Sequence, residues 1–167
     1  MLDITVLTDQ DIDELSALHV RVWQAAYAGI VPAETLDNLD PAVFAANRRT
    51  RPALPGAITF LTRDQGVLVG FASTGPHRDI EAAGELYALY VDPARWGTGA
   101  GRRLFAEVTE HQRALGHDEM LLWVFEANDR ARRFYERMGM RPDGTKDYYT
   151  PRGSDARLPE VRYRMRL

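Results

Sequence analysis

The sequence predicts an α/β (α+β) chain in three layers, a mixed sheet of about seven strands flanked by four helices. Three observations predict it. Apolar residues recur every second position in some segments and every third or fourth in others, so strands and helices are both present. These segments follow one another as β-α-α-β-β-β-α-β-α-β-β, an order that packs helices on both faces of one sheet. No repeat, low-complexity run or Gly/Ser linker interrupts the 167 residues, of which 45% are apolar and 27% charged. A single domain spanning 1–167 is therefore expected.

Asp3–Leu7 alternates as a short strand. Thr8 then caps a helix whose first turn carries Asp9 and Asp11, favourable to the helix dipole. Its apolar face is Ile12, Leu15, Leu18, Val22, Ala25 and Ala26, and Gly29 and Pro32 end it. Pro41, following Asp40, opens a second helix running to about Arg49. Ala57–Thr62 and Val67–Ser73 form a hairpin across Arg63-Asp64-Gln65-Gly66. Glu85–Val91 is a strand rich in aromatic residues, stopped by Asp92-Pro93. Period two places Tyr87 and Leu89 on the face of Glu85. A glycine-rich turn follows, then a helix starting near Arg102 with the stripe Leu104, Phe105, Val108, Gln112 and Leu115, closed by Gly116. Met120–Phe125 is a buried strand. Asn128 or Asp129 caps a short helix carrying Ala131, Phe134, Tyr135 and Met138, with Gly139 at its end. Two last strands lie near Met140–Tyr149 and Val161–Leu167.

The absence of cysteine excludes disulfides, a thiolate nucleophile and a cysteine-ligated metal. The four histidines, His19, His77, His111 and His117, have no metal-ligand spacing, so no metal is expected. No stretch approaches the ~18 apolar residues of a membrane span. The acidic, amphipathic N-terminus resembles neither a signal nor a transit peptide, so the cytoplasm is the expected location and no membrane partner is expected. Net charge is −3, unevenly spread: residues 1–95 carry 13 acids and 7 bases, residues 96–167 carry 11 acids and 14 bases. A polyanionic ligand is drawn to the second half and a cationic one to the first. An acidic chain whose only lysine is Lys146 gives no nucleic-acid signal.

Strand, glycine turn and helix together bind phosphate. In Trp96-Gly97-Thr98-Gly99-Ala100-Gly101-Arg102 the glycines permit positive φ, amides converge, and the helix dipole adds positive charge. A Walker loop would end in Gly-Lys-Ser/Thr, whereas this turn runs Gly101-Arg102-Arg103. A dinucleotide fold wants Gly-x-Gly-x-x-Gly near the N-terminus of repeated βαβ units, and Leu121 and Leu122 stand where its ribose-binding acid belongs.

With its neighbours, this turn resembles the first signature of the GNAT superfamily, the GCN5-related N-acetyltransferases, Gln/Arg-x-x-Gly-x-Gly/Ala. The second signature, Asn-x-x-Ala-x-x-Phe-Tyr-Glu-x-x-Gly, is matched by Asn128, Ala131, Phe134, Tyr135, Glu136 and Gly139. Trp96 departs from the family's Gln or Arg. Because amides do the binding, that departure is expected to cost one side-chain contact and not the site. The likeness covers nearly the whole chain and is weakest over residues 30–56.

The resemblance implies the GNAT fold, with its mostly antiparallel sheet, and acetyl transfer from acetyl-CoA to an amine by direct attack. It implies that the amides of Gly97, Thr98, Gly99, Ala100, Gly101 and Arg102 hold the pyrophosphate. It further implies that Leu89, Tyr90 and Val91 pair with the pantetheine arm, that Asn128 bonds the cofactor, and that Trp96 and Phe134 border it. Tyr135 then protonates the departing thiolate. A phenol with pKa near 10 suits that task. Alkylamines are mostly protonated at neutral pH, so a base is needed as well. Glu85, at the spacing of a family general base, is one candidate; His77 is the reserve, and a water chain is a third option. The resemblance also allows a homodimer.

In this family the acceptor is recognised largely by the first two helices and their connection. Trp23 and Tyr27 are i, i+4 neighbours there and line a pocket or pack in the core. Tyr87 joins them as a substrate-side candidate. Glu34, Asp37, Asp40, Asp79 and Glu81 favour a basic acceptor, either a small molecule or a protein amine. Two alternatives stay open on sequence: a catalytically silent GNAT fold that senses acyl-CoA, and a general nucleotide-phosphate binder.

Overall fold

The computed structural model describes residues 1–167. Its strands are β1 (Leu2–Val6), β2 (Ile58–Asp64), β3 (Val67–Pro76), β4 (Ala83–Val91), β5 (Glu119–Phe125), β6 (Arg141–Tyr149) and β7 (Leu158–Arg166). Its helices are α1 (Ile12–Ala26), α2 (Ala33–Asp37), α3 (Pro41–Thr50), α4 (Ala100–Ala114) and α5 (Asp129–Arg137). The strands form one sheet in the order β1-β2-β3-β4-β5-β7-β6, and every pair is antiparallel except β4 and β5. The mixed, mostly antiparallel seven-stranded sheet matches the predicted fold class. The five-residue α2 is an addition to the four predicted helices, too short for its periodicity to show.

Local chemistry sets the boundaries. Thr8 donates from its N–H and its hydroxyl to the Asp11 carboxylate at 2.9 and 2.7 Å, turning the chain into a short 3-10 segment before α1. Asp40 accepts from the Ala42 amide to start α3 at Pro41. Gln65 and Gly66, both at positive φ, make the tight β2–β3 turn, so these strands run longer than the sequence suggested. The predicted stripe of α4 fails at Leu115, which lies past the helix end and is exposed. Gln112, the polar exception, is fully buried and donates to Thr74 Oγ1 and the Gly75 carbonyl.

Two cores sit on opposite faces of the sheet. Leu86, Leu104, Val108, Leu122 and Tyr163 pack under α4 and α5. Leu15, Leu18, Val22, Leu61 and Phe71 pack under α1. A bulge in β4 decides which residues face which core. Ala88 pairs with Ser73 but Leu86 pairs with Thr74, so Tyr87 is the extra residue. The extra residue shifts the alternation. Tyr87 keeps the face of Glu85, but Leu89 turns to the α4 core while Ala88 and Tyr90 join the α1 core. The expectation that Leu89 shares the Glu85 face is thereby corrected, since period two holds only while every residue is paired.

Candidate active site

The glycine turn ends in the N-terminus of α4. That helix begins at Ala100, two residues earlier than expected, and Gly99 caps it at φ 94°. This left-handed conformation is the reason for glycine there, because an added Cβ at Gly99 would meet nothing within 4 Å. The first helical bond runs from Arg103 N–H to the Gly99 carbonyl, at 3.0 Å. The amides of Gly99, Ala100, Gly101 and Arg102 are therefore free of intramolecular acceptors, as at any helix start. Beside them an open hollow of about 460 Å³ is lined by Leu2, Gly99, Arg102, Arg103 and Ala106. Free amides, the dipole and two arginines suit this hollow to an anion.

Between β4 and β5 the sheet divides. The two strands pair only where Ala83–Glu85 meets Glu119–Leu121, and Leu86–Val91 has no strand neighbour on that side. The Asp92 amide donates to the Val69 carbonyl, so Tyr90 shares its side and turns its backbone to β3. Leu89 and Val91 then turn their backbone groups into the gap. The indole N–H of Trp96 occupies the Val91 carbonyl at 2.8 Å, and the Arg130 guanidinium lies over the Trp96 ring.

Tyr135, on α5, is buried. Burial, with a smaller effect from Tyr90, pushes its phenol far above the usual range, so it holds its proton throughout the neutral range. Phe134 stacks on Phe105 and lies 3.4 Å from where a Cβ on Gly101 would stand, which sets α5 close against α4. Asn128 caps α5 by accepting from the Ala131 amide at 3.2 Å. Its Oδ1 is thus engaged in the fold, and its Nδ2 is the atom left to offer a ligand.

Glu85 and His77 come together: His77 Nε2 lies 3.9 Å from the Glu85 carboxylate. His77 Nδ1 accepts from the Asp79 and Ile80 amides at 3.1 and 3.2 Å, which places the proton of the neutral ring on Nε2, toward Glu85. Burial holds His77 below its ordinary value and raises Glu85 above it. Tyr87 donates its hydroxyl to the Pro76 carbonyl, so its phenol is committed to the fold.

Trp23 and Tyr27 stack edge to face at 5.1 Å. The Tyr27 and Tyr90 hydroxyls share a hydrogen bond of 3.2 Å. Tyr27 also packs on Phe125 at 4.9 Å, and Trp23 approaches Tyr149 at 6.3 Å. An aromatic wall thus joins α1 to β4, β5 and β6 beside the gap. Sequence reasoning missed the residue facing it from β7, Glu160, which pairs with Phe125 and Asp147. Burial, then Asp147 and Glu85, push its carboxyl up to about 7. The only available signal was the alternation of Pro159-Glu160-Val161-Arg162, whose inner face needs the strand pairing to be known. No three His, Asp or Glu side chains group as metal ligands. No helix is long and apolar enough to cross a membrane.

The profile of the "Acetyltransferase (GNAT) family" matches residues 19–140. The uncharacterized N-acetyltransferase YuaI of Bacillus subtilis is 36% identical over 122 residues, 71% of this chain and 69% of its own. A mycothiol acetyltransferase of Thermobispora bispora is 42% identical over 96 residues, 55% of this chain; the match spans 32% of that longer protein. The fold of a PaiA N-acetyltransferase from Thermoplasma acidophilum, solved with coenzyme A, superposes with TM-score 0.77 at 19% identity, over 100% of this chain and 99% of that one.

Proposed function

Because the chain belongs to the acetyltransferase (GNAT) family, and is an acyltransferase by that membership, we propose that it moves an acetyl group from acetyl-CoA to a primary amine by direct attack. One observation carries the reading: the free amides at the start of α4 lie beside the unpaired end of β4, where Gly101 packs against Val91 and Phe134, and the next residue of α5, Tyr135, is buried. Residues 1–167 act in it as a single catalytic domain.

The chain's groups fit acetyl-CoA, an anion joined to an amide-bearing arm. The amides of Gly99 to Arg102 and the flanking Gly97 meet the pyrophosphate; the expectation for the Thr98 amide is corrected, since it donates to the Arg95 carbonyl at 3.4 Å, as does the Thr98 hydroxyl at 2.7 Å. Leu89 offers backbone N–H and C=O to the arm; Val91 offers its N–H, its carbonyl being held by Trp96. Asn128 Nδ2 bonds the arm, while Phe134 and Trp96 border it. When bound, acetyl-CoA supplies the acyl thioester. Tyr135 holds a proton at its phenolic oxygen and delivers it to the leaving sulfur, where negative charge develops. Glu85, raised by burial and with His77 Nε2 3.9 Å away, removes the proton of the incoming amine. Trp23 and Tyr27 wall the acceptor side, and Tyr87 buttresses Glu85 through its bond to Pro76.

Thiol release from acetyl-CoA over a broad amine panel tests the reading. Turnover with at least one amine, and a loss of ~10²-fold in kcat for Tyr135→Phe, are expected. Tight CoA binding with no turnover on any amine would instead describe a silent acyl-CoA sensor.

A further inference from the structure

Behind the aromatic wall lies a group of nitrogen atoms that nothing in the protein satisfies. His19 stands one turn before Trp23 on α1. Its ring is enclosed by Trp23, Phe44 of α3, Phe71 of β3 and Tyr90 of β4, at centroid distances of 5.7, 4.6, 5.2 and 4.9 Å. Both its ring nitrogens are shut from water without a hydrogen-bond partner, and so is Arg48 Nε; Trp23 Nε1, also shut from water, approaches the Tyr90 hydroxyl without completing a hydrogen bond. Arg48 follows Phe44 by one turn of α3, with its guanidinium over the Phe71 ring at 5.2 Å. It has no ion pair. The adjacent Arg49 takes Asp13, while Arg63 and Arg162 are matched to Asp11 with Glu14 and to Asp143.

A buried polar group without a partner is costly, and a cation drawn from water without a counter-ion is more so. The protonation states sharpen the mismatch. Burial, and secondarily the charge of Arg48, hold the His19 ring down to about 3, so it is neutral and offers one N–H. Arg48 remains a cation although burial lowers it, because its ordinary value is so high. The box thus contains one positive charge, an indole N–H and an imidazole N–H, with no anion. Planar donors around a guanidinium are the complement of a carboxylate.

The box adjoins the acceptor wall. Trp23 belongs to both, and Tyr90, which lines the box, shares its hydroxyl hydrogen bond with Tyr27. The carboxylates Glu85 and Glu160 lie on the same face of the sheet toward β4 and β7, where a positive amine is drawn. The charges of this face are therefore opposite at its two ends, Glu85 standing five residues before Tyr90 along β4, a pattern suited to an acceptor whose amine and carboxylate are many bonds apart.

We propose that Arg48, with Trp23 and His19, holds a carboxylate of the acceptor, so that the acetylated amine is the distal amine of an amino acid. This rests on the acetyl-transfer reading above and extends it to the substrate class. The test has two arms. In the first, CoA-loaded protein is titrated calorimetrically with ω-amino acids of graded chain length and with their carboxamides, which keep the amine and lose the carboxylate charge. The best acids bind at least about tenfold tighter than their amides, Arg48→Gln erases that ratio, and Arg48→Lys restores part of it. In the second, acetyl transfer to the same pairs shows KM for the acid rising about tenfold in Arg48→Gln while kcat changes far less. Retained CoA affinity certifies that the variant is folded. Should it not fold, Trp23→Phe, which removes one N–H and keeps an aromatic ring, must lower the acid-to-amide ratio several-fold. Amides or plain alkylamines binding wild type as well as acids would overturn the proposal, as would an acid-to-amide ratio that survives substitution. Failure of the acetyl-transfer reading looks different: acids still bind through Arg48, and no amine of any kind turns over.

Discussion

The Trp96 indole N–H donates to the Val91 carbonyl oxygen at 2.8 Å, tying the start of the glycine turn to the last residue of β4. The residue that departs from the family signature thus fastens the turn to the strand edge. Trp96→Phe keeps a ring beneath Arg130 but loses the donor. One partly buried hydrogen bond of ~1 kcal/mol lowers the melting temperature by about 2–4 °C. Trp96→Gln restores a donor and recovers part of that loss, and a thermal-unfolding series on the three proteins checks it.

Gly84 faces the buried Gln112 amide so closely that any Cβ would collide with it. Gln112 is held by Thr74 and Gly75, and its Oε1 is bonded by His117, so it has nowhere to go. Gly84→Ala is expected to destabilise by about 2–4 kcal/mol, from overpacking and broken buried hydrogen bonds. Chemical denaturation measures it, and a loss below ~0.5 kcal/mol would show that Gln112 repacks freely.

Gly99 differs in kind, since its constraint is backbone conformation and not space. Gly99→Asn is expected to keep most CoA affinity because asparagine tolerates the left-handed region, whereas Gly99→Val loses more, at about 1–2 kcal/mol of backbone strain. Equal affinities in calorimetry would contradict the assignment of that φ as the reason for glycine.

Glu160 carries a pH signature. Its folded value of about 7 lies above its ordinary 4.5, so the folded state binds the extra proton between them. Its contribution to stability is full below about 4.5 and is lost as pH rises through 7. His19 opposes this: its folded value of about 3 lies below its ordinary 6.5, so its contribution grows as pH rises through that interval. The difference in melting temperature between Glu160→Gln and wild type isolates the first effect. It should grow in favour of the variant from pH 4.5 to 7, and a flat difference would refute it.

Glu85→Gln removes the proposed base and is expected to cost about 10²-fold in kcat/KM near neutrality. The deficit shrinks as pH approaches the pKa of the acceptor amine, because an amine already neutral needs no base. A pH–rate profile of the two enzymes decides the matter, and parallel profiles would move the role elsewhere.

The legible features were those written in a few adjacent residues. Thr8 with Asp11, Asp40 before Pro41, Asn128 before α5 and the alternating glycines after β4 are local signals with local causes. What escaped depended on pairing between distant segments. The β4 bulge at Tyr87 exists only against Ser73 and Thr74, so Leu89 was placed on the wrong face. Glu160 became a site neighbour only once β7 paired with β5. Nothing in the sequence around Arg48 singled it out, and its isolation is visible only beside His19 and Phe71. Leu115 kept helical spacing but fell just past the point where α4 stops.

With β4 and β5 joined over only three residues each, the sheet meets the site as two sets of strands, β1–β4 and β5–β7. Tyr27 and Trp23 approach it from the α1 side, while Phe125, Tyr149 and Glu160 belong to the second set. In the proposed reaction, a donor in the opening and an acceptor at the wall would both bear on the Tyr27–Phe125 contact, so each is expected to change the affinity of the other by the same factor.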